Sequence, residues 1–110
     1  YGVDQYVLDW EAELGLPWEH ADRWLKLSNA FLHADRIRTP TLFLCGADDF
    51  NVPLSATEQM YQALRRLGVP TQLVIYPGQH HQLTRPGLRV DRLQRYLAWY
   101  DRYLSSAAAP

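Results

Sequence analysis

Thr41-Leu42-Phe43-Leu44-Cys45-Gly46 is the stretch on which the reading of the fold turns. Thr39-Pro40 ahead of it sets an extended entry, because the residue before a proline is pushed out of the helical region. From Thr41 to Cys45 the chain is apolar without a break, and Gly46 closes the run. A run of this kind predicts a strand buried on both faces, as in a parallel sheet flanked by helices. A strand with one wet face would alternate polar with apolar residues instead.

Downstream, Ser55-Ala56-Thr57-Glu58 has the spacing of a capping box, with Ser55 as the expected cap. It opens a predicted helix over 55–67 whose inner face is Met60, Tyr61, Leu64 and Leu67. Arg65 and Arg66 fall in its last turn, where the helix dipole favours cations, and Gly68 and Pro70 stop it. Gln72-Leu73-Val74-Ile75-Tyr76 follows as a second strand, ended by Pro77-Gly78. A last helix is predicted over 88–104. Val90, Leu93, Leu97, Tyr100 and Leu104 recur at steps of three and four and form its expected inner stripe, widened by Tyr96, Trp99 and Tyr103. Arg92, Arg95, Asp101 and Arg102 form its expected outer face.

Upstream, Asp4 is placed to cap a helix over 4–14 that turns Val7, Leu8 and Leu14 inward, and Gly15 is placed to end it. Trp18, Ala21, Trp24 and Leu25 follow helical spacing and predict a helix over 18–27. A short helical turn around 29–34 is expected next, with Ser28 as its cap. Helices alternating with strands predict an α/β architecture with a parallel sheet. Two parallel strands are too few for an independent sheet, and their edges leave backbone groups unpaired. The expectation is therefore a larger sheet completed by the rest of a parent domain, or association through an exposed strand edge.

The chain has 110 residues, 47% hydrophobic and 21% charged, with net charge −1. That composition excludes a disordered chain. The eleven basic residues, all arginine except Lys26, are scattered, so no basic field exists to hold nucleic acid. No stretch of about 18 apolar residues is present to cross a membrane. Cys45 is the single cysteine, so an internal disulfide and a zinc site built on paired cysteines are excluded. A cytoplasmic location is expected, with the periplasm as the alternative. No cofactor and no metal are expected. Residues 105–110 read as a frayed tail after a domain over 1–104.

Functional groups of an open α/β sheet collect beyond the carboxyl ends of its strands. Two loops leave that edge, Gly46-Ala47-Asp48-Asp49-Phe50-Asn51-Val52-Pro53 and Pro77-Gly78-Gln79-His80-His81-Gln82. The first brings carboxylates and the second imidazoles. A carboxylate that holds one ring nitrogen leaves the other free to take a proton from a nucleophile. Asp48 and Asp49 also make sense as plain turn residues, His80 and His81 as surface histidines. A metal site is disfavoured because adjacent histidines project apart.

These motifs resemble the C-terminal third of the catalytic domain of the prolyl oligopeptidase-family serine peptidases, in the acylaminoacyl-peptidase and dipeptidyl-aminopeptidase-like branch. The resemblance runs from Tyr1 to about Leu104. It is carried by Tyr1-Gly2-Val3-Asp4-Gln5-Tyr6, by the pattern Gly-x-x-Asp-x-x-Val-Pro from Gly46, by Tyr76-Pro77 with His81 five residues after the tyrosine, and by Arg85-Pro86-Gly87. It implies a C-terminal part of an α/β-hydrolase fold, three layers α/β/α, with parallel strands about 41–45 and 72–76. It further implies a triad acid at Asp49, a general base at His81, and a short peptide as the substrate of the parent enzyme. The family usually has glycine on both sides of the histidine, where this chain has His80 and Gln82. No Gly-x-Ser-x-Gly is present among Ser28, Ser55, Ser105 and Ser106. Losing a triad nucleophile costs on the order of 10⁶ in turnover, so these residues alone are expected to show no peptidase activity. The alternatives are a carboxylesterase-type α/β hydrolase using the same triad and a non-catalytic interaction module on the same fold.

Overall fold

The computed structural model describes residues 6–27 and 30–105. In chain order it has α1 (Tyr6–Leu14), α2 (Ala21–Leu27), a 3-10 helix (Phe31–Arg36), β1 (Thr41–Gly46), α3 (Leu54–Arg66), β2 (Thr71–Tyr76) and α4 (Pro86–Leu104). The strands run parallel in register from Thr41 opposite Thr71 to Gly46 opposite Tyr76. They are the two strands of one sheet among the described residues. The ladder is extended at its start by Thr41 N–H donating to Pro70 O and by the Thr71 hydroxyl donating to Thr41 O.

Successive strand residues point to opposite faces. On one face Phe43 meets Tyr61 of α3 edge to face, ring centroids 6.4 Å apart. There Leu64, Ala34 of the 3-10 helix and Val69 form the core, with Phe43, Met60 and Ala63 packed against it. On the other face α4 stands over Leu42 and Leu44, with Tyr96 lining the space between. The result is the expected three-layer α/β/α arrangement.

α3 departs from the predicted capping. It begins at Leu54 after Pro53, and no side chain caps it; Ser55 lies inside the helix rather than before it. Pro53 already holds an extended conformation and its carbonyl accepts from Ala56 N–H, so the entry is set without a hydroxyl. The end follows a Schellman pattern. Val69 N–H donates to Leu64 O and Gly68 N–H to Arg65 O, with Gly68 at φ +74°. That reversal tucks Val69 onto Leu64, while Leu67, expected inside, is exposed.

α4 is the larger correction. Val90, Leu93, Leu97, Tyr100 and Leu104, the expected inner stripe, are 54–73% exposed. The face turned to the sheet keeps Tyr96 and Trp99, as expected, but adds Asp91 and the two arginines expected outside, Arg92 and Arg95. The buried Tyr76 hydroxyl at the end of β2 donates to Asp91 Oδ2 at 2.9 Å, and Arg95 Nε donates to the same oxygen at 2.7 Å. A polar anchor at the strand end therefore orients the helix.

At the N-terminal end, α1 stops at Gly15, whose φ is +76°. Its last carbonyls find donors on α2: Arg23 Nη1 bonds Leu14 O and Trp24 Nε1 bonds Gly15 O, which satisfies groups a helix end leaves orphaned. α2 begins at Ala21 and not at Trp18, because Glu19 and His20 both donate to Leu16 O and close a turn first. The predicted caps Asp4 and Ser28 and tail residues 106–110 lie outside the described residues.

Candidate active site

Both loops leave the carboxyl edge of the sheet, and Gly46 is where they cross. A Cβ built there would stand 2.3 Å from both Gln79 O and His80 O, so no larger residue fits. Asp48 N–H donates to Gln79 O at 2.9 Å, and Ala47 N–H to Tyr76 O at 3.0 Å. The backbone itself ties the carboxylate loop to the imidazole loop.

Asp49 divides its two oxygens. Oδ1 accepts from the amides of Asn51 (3.0 Å) and Val52 (2.9 Å), and Oδ2 is 3.0 Å from His81 Nδ1. The Asp49 side chain is 6% exposed and the His81 side chain 56%. Burial alone pushes the Asp49 carboxyl up; the Val52 amide, the His81 ring and the Asn51 amide outweigh it and hold the acid below the ordinary carboxylate range. An ionised carboxylate only accepts, so His81 donates from Nδ1, and in the neutral imidazole that leaves the lone pair on Nε2. One Asp49 oxygen thus serves the turn and the other faces the imidazole.

The neighbours are used differently. His80 Nδ1 lies 2.7 Å from the Asp48 carbonyl, and its ring meets Phe50 edge to face at 6.1 Å. Neither the Asp48 carboxylate nor the His80 ring joins the Asp49–His81 pair. Below that pair is a cavity of about 160 Å³ lined by Leu44, Cys45, Thr57, Arg92 and Tyr96. Burial pushes the Cys45 thiol up, with Asp49 and Glu58 adding to the effect, so it stays a thiol. No three of His, Cys, Asp and Glu converge as a metal site among the described residues. Gln79 is 2% exposed, and nothing in the sequence marks it out; Gly46 is marked as the end of a strand, but its contact with the second loop is not.

A parallel sheet between α3 and α4, with an acid and an imidazole paired beyond its carboxyl edge, defines part of an α/β-hydrolase fold. Residues 3–107 match the prolyl oligopeptidase family, and the chain belongs to it. An uncharacterized peptidase, YuxL, from Bacillus subtilis is 30% identical over 105 residues, which is 93% of this chain and 16% of that protein. The acylamino-acid-releasing enzyme of Arabidopsis thaliana is 34% identical over 71 residues, 64% of this chain and 9% of the enzyme. Among solved structures, a puromycin-hydrolyzing peptidase of Mycobacterium tuberculosis superposes with a TM-score of 0.73 at 30% identity, covering 83% of this chain and 14% of that one. The chain thus spans a sixth or less of the length of these relatives.

Proposed function

We propose that this chain carries the acid and the base of a serine-type peptidase, with Asp49 orienting His81 and His81 shuttling the proton. The observation that carries the reading is the 3.0 Å contact of a buried, ionised Asp49 with the Nδ1 of a His81 that is itself open to solvent. In an acyl transfer, His81 Nε2 takes the proton of an attacking hydroxyl and returns it to the leaving amine, while Asp49 stabilises the imidazolium without being protonated. Relatives named as peptidases and acylamino-acid-releasing enzymes favour a short peptide as substrate. The nucleophile and the oxyanion-hole donors come from elsewhere in the polypeptide. The two open strand edges support association with further strands, from the rest of a parent domain or a second copy.

The test is labelling of the full-length protein that contains these residues with a serine-reactive fluorophosphonate. Asp49→Asn and His81→Ala are expected to suppress labelling, and Asp49→Asn to lower peptide turnover by roughly 10⁴. Labelling that survives both substitutions unchanged defeats the proposal.

A further inference from the structure

We propose that Gln79 is a positioning residue for His81, a claim that rests on His81 being the base. The side chain is 2% exposed, alone among the polar side chains in being buried so completely among the described residues. Both polar atoms of its amide are bonded. Oε1 accepts from Thr84 N–H at 2.8 Å, from the Thr84 hydroxyl at 3.3 Å and from Arg85 N–H at 3.4 Å. Nε2 donates to Gly78 O at 2.8 Å. The Gln79 backbone carbonyl accepts from Asp48 N–H at 2.9 Å.

One residue therefore joins three places: the turn after β2, the residues that open α4, and the carboxylate loop. His81 lies inside the arc 80–84 that these bonds close. Its ring is mostly in solvent and its one side-chain partner is Asp49 Oδ2, so packing does little to hold it. The arc has His80 and Gln82 beside His81, so no glycine adjoins the histidine, and the loop's path is set from its ends. The Gln79 amide sets both ends at once. Buried hydrogen-bonded groups of this kind favour one arrangement of their partners and are costly when a partner is lost. A general base displaced by about 1 Å forfeits on the order of 10² in rate.

The experiment reads the His81 tautomer from ring nitrogen shifts in the full-length protein that contains these residues, with its histidines isotopically labelled. The unsubstituted chain is expected to hold Nδ1–H, with the Thr84 amide protected from exchange at least about tenfold over an unstructured peptide. Gln79→Leu is expected to move His81 toward the tautomer mixture of a free imidazole while sheet amides stay protected. Gln79→Glu keeps the acceptor for Thr84 and Arg85 and is expected to restore Nδ1–H. A folded Gln79→Leu chain with an unchanged His81 tautomer overturns the proposal. Should Gln79→Leu fail to fold, a Thr84 amide exchanging as freely as in an unstructured peptide overturns it, and rescue by Gln79→Glu supports it. Asp49→Asn separates the two claims: if it too leaves the tautomer unchanged, the acid–base reading falls and the positioning claim with it. If it shifts the tautomer and Gln79→Leu does not, the positioning claim alone falls.

Discussion

Asp49 shows how a single side chain is made to serve a turn and a partner together. Its low pKa is the outcome of a contest, in which burial favours the neutral acid and three donors, led by the Val52 amide, favour the anion. The folded value lies below the unfolded one, so the contribution to stability is present in full above about pH 4 and is lost as pH falls through the folded value. Asp49→Asn is expected to flatten the acid limb of the stability curve, measured by urea unfolding at a series of pH values. An acid limb of unchanged slope would remove this account. A residual slope is expected from Asp91, which Arg95 and then Tyr76 hold low. At this scale the sequence was only partly legible. Loop composition left Asp48 and Asp49, and His80 and His81, equivalent; only the family resemblance pointed to one of each. The close approach at Gly46 and the burial of Gln79 were not legible, because the need for a missing Cβ and for a buried amide arises only where two distant loops cross.

At the scale of elements, α4 carries the lesson. Its sequence holds two stripes of helical period, one of leucines and one of Asp91, Arg92, Arg95, Tyr96 and Trp99. Periodicity reports that a helix forms but not which stripe meets the sheet. Here the Tyr76–Asp91–Arg95 cluster decides it. Tyr76→Phe is expected to lower stability by about 1 kcal/mol, the net worth of one hydrogen bond. Asp91→Ala is expected to be worse, because it strands a buried hydroxyl beside an unpaired Arg95. The two are compared by urea unfolding, and a harsher Tyr76→Phe would contradict the assignment. Burial and the adjacent Asp91 push the Tyr76 hydroxyl up to about 12. Its contribution to stability is therefore whole below about pH 10 and lost as pH rises toward about 12, and Tyr76→Phe abolishes that alkaline loss. The start of α3 teaches a smaller point. A capping-box spacing is present, yet Pro53 enters the helix first, since backbone geometry already fixed at a proline leaves the hydroxyl no role. The end of α3 was legible from Gly68 alone, because a positive φ is a local demand.

For the whole molecule, the radius of gyration is 17.0 Å and the extents 58 × 35 × 22 Å, against about 13 Å for a compact domain of 100 residues. Much of the apolar surface stays in contact with solvent, with the α4 stripe its longest part. The chain is therefore expected to sediment above its monomer mass as concentration rises. The pair Leu93→Glu with Leu97→Glu should lower that association without altering the far-UV spectrum. A chain that stays monomeric at every concentration, with its sheet amides protected, would show that this surface is tolerated bare. The sequence by itself determined which segments are helix and strand, that the strands are parallel, and that carboxylates and imidazoles gather at one edge. Each of these follows from local conformation, hydrophobic period and the short reach of one crossover. Only the tertiary structure decided which face of α4 meets the sheet, that Gln79 closes the His81 arc, and that Gly46 must lack a side chain. These depend on groups far apart in the chain meeting at hydrogen-bond distance, and no local pattern encodes such a meeting.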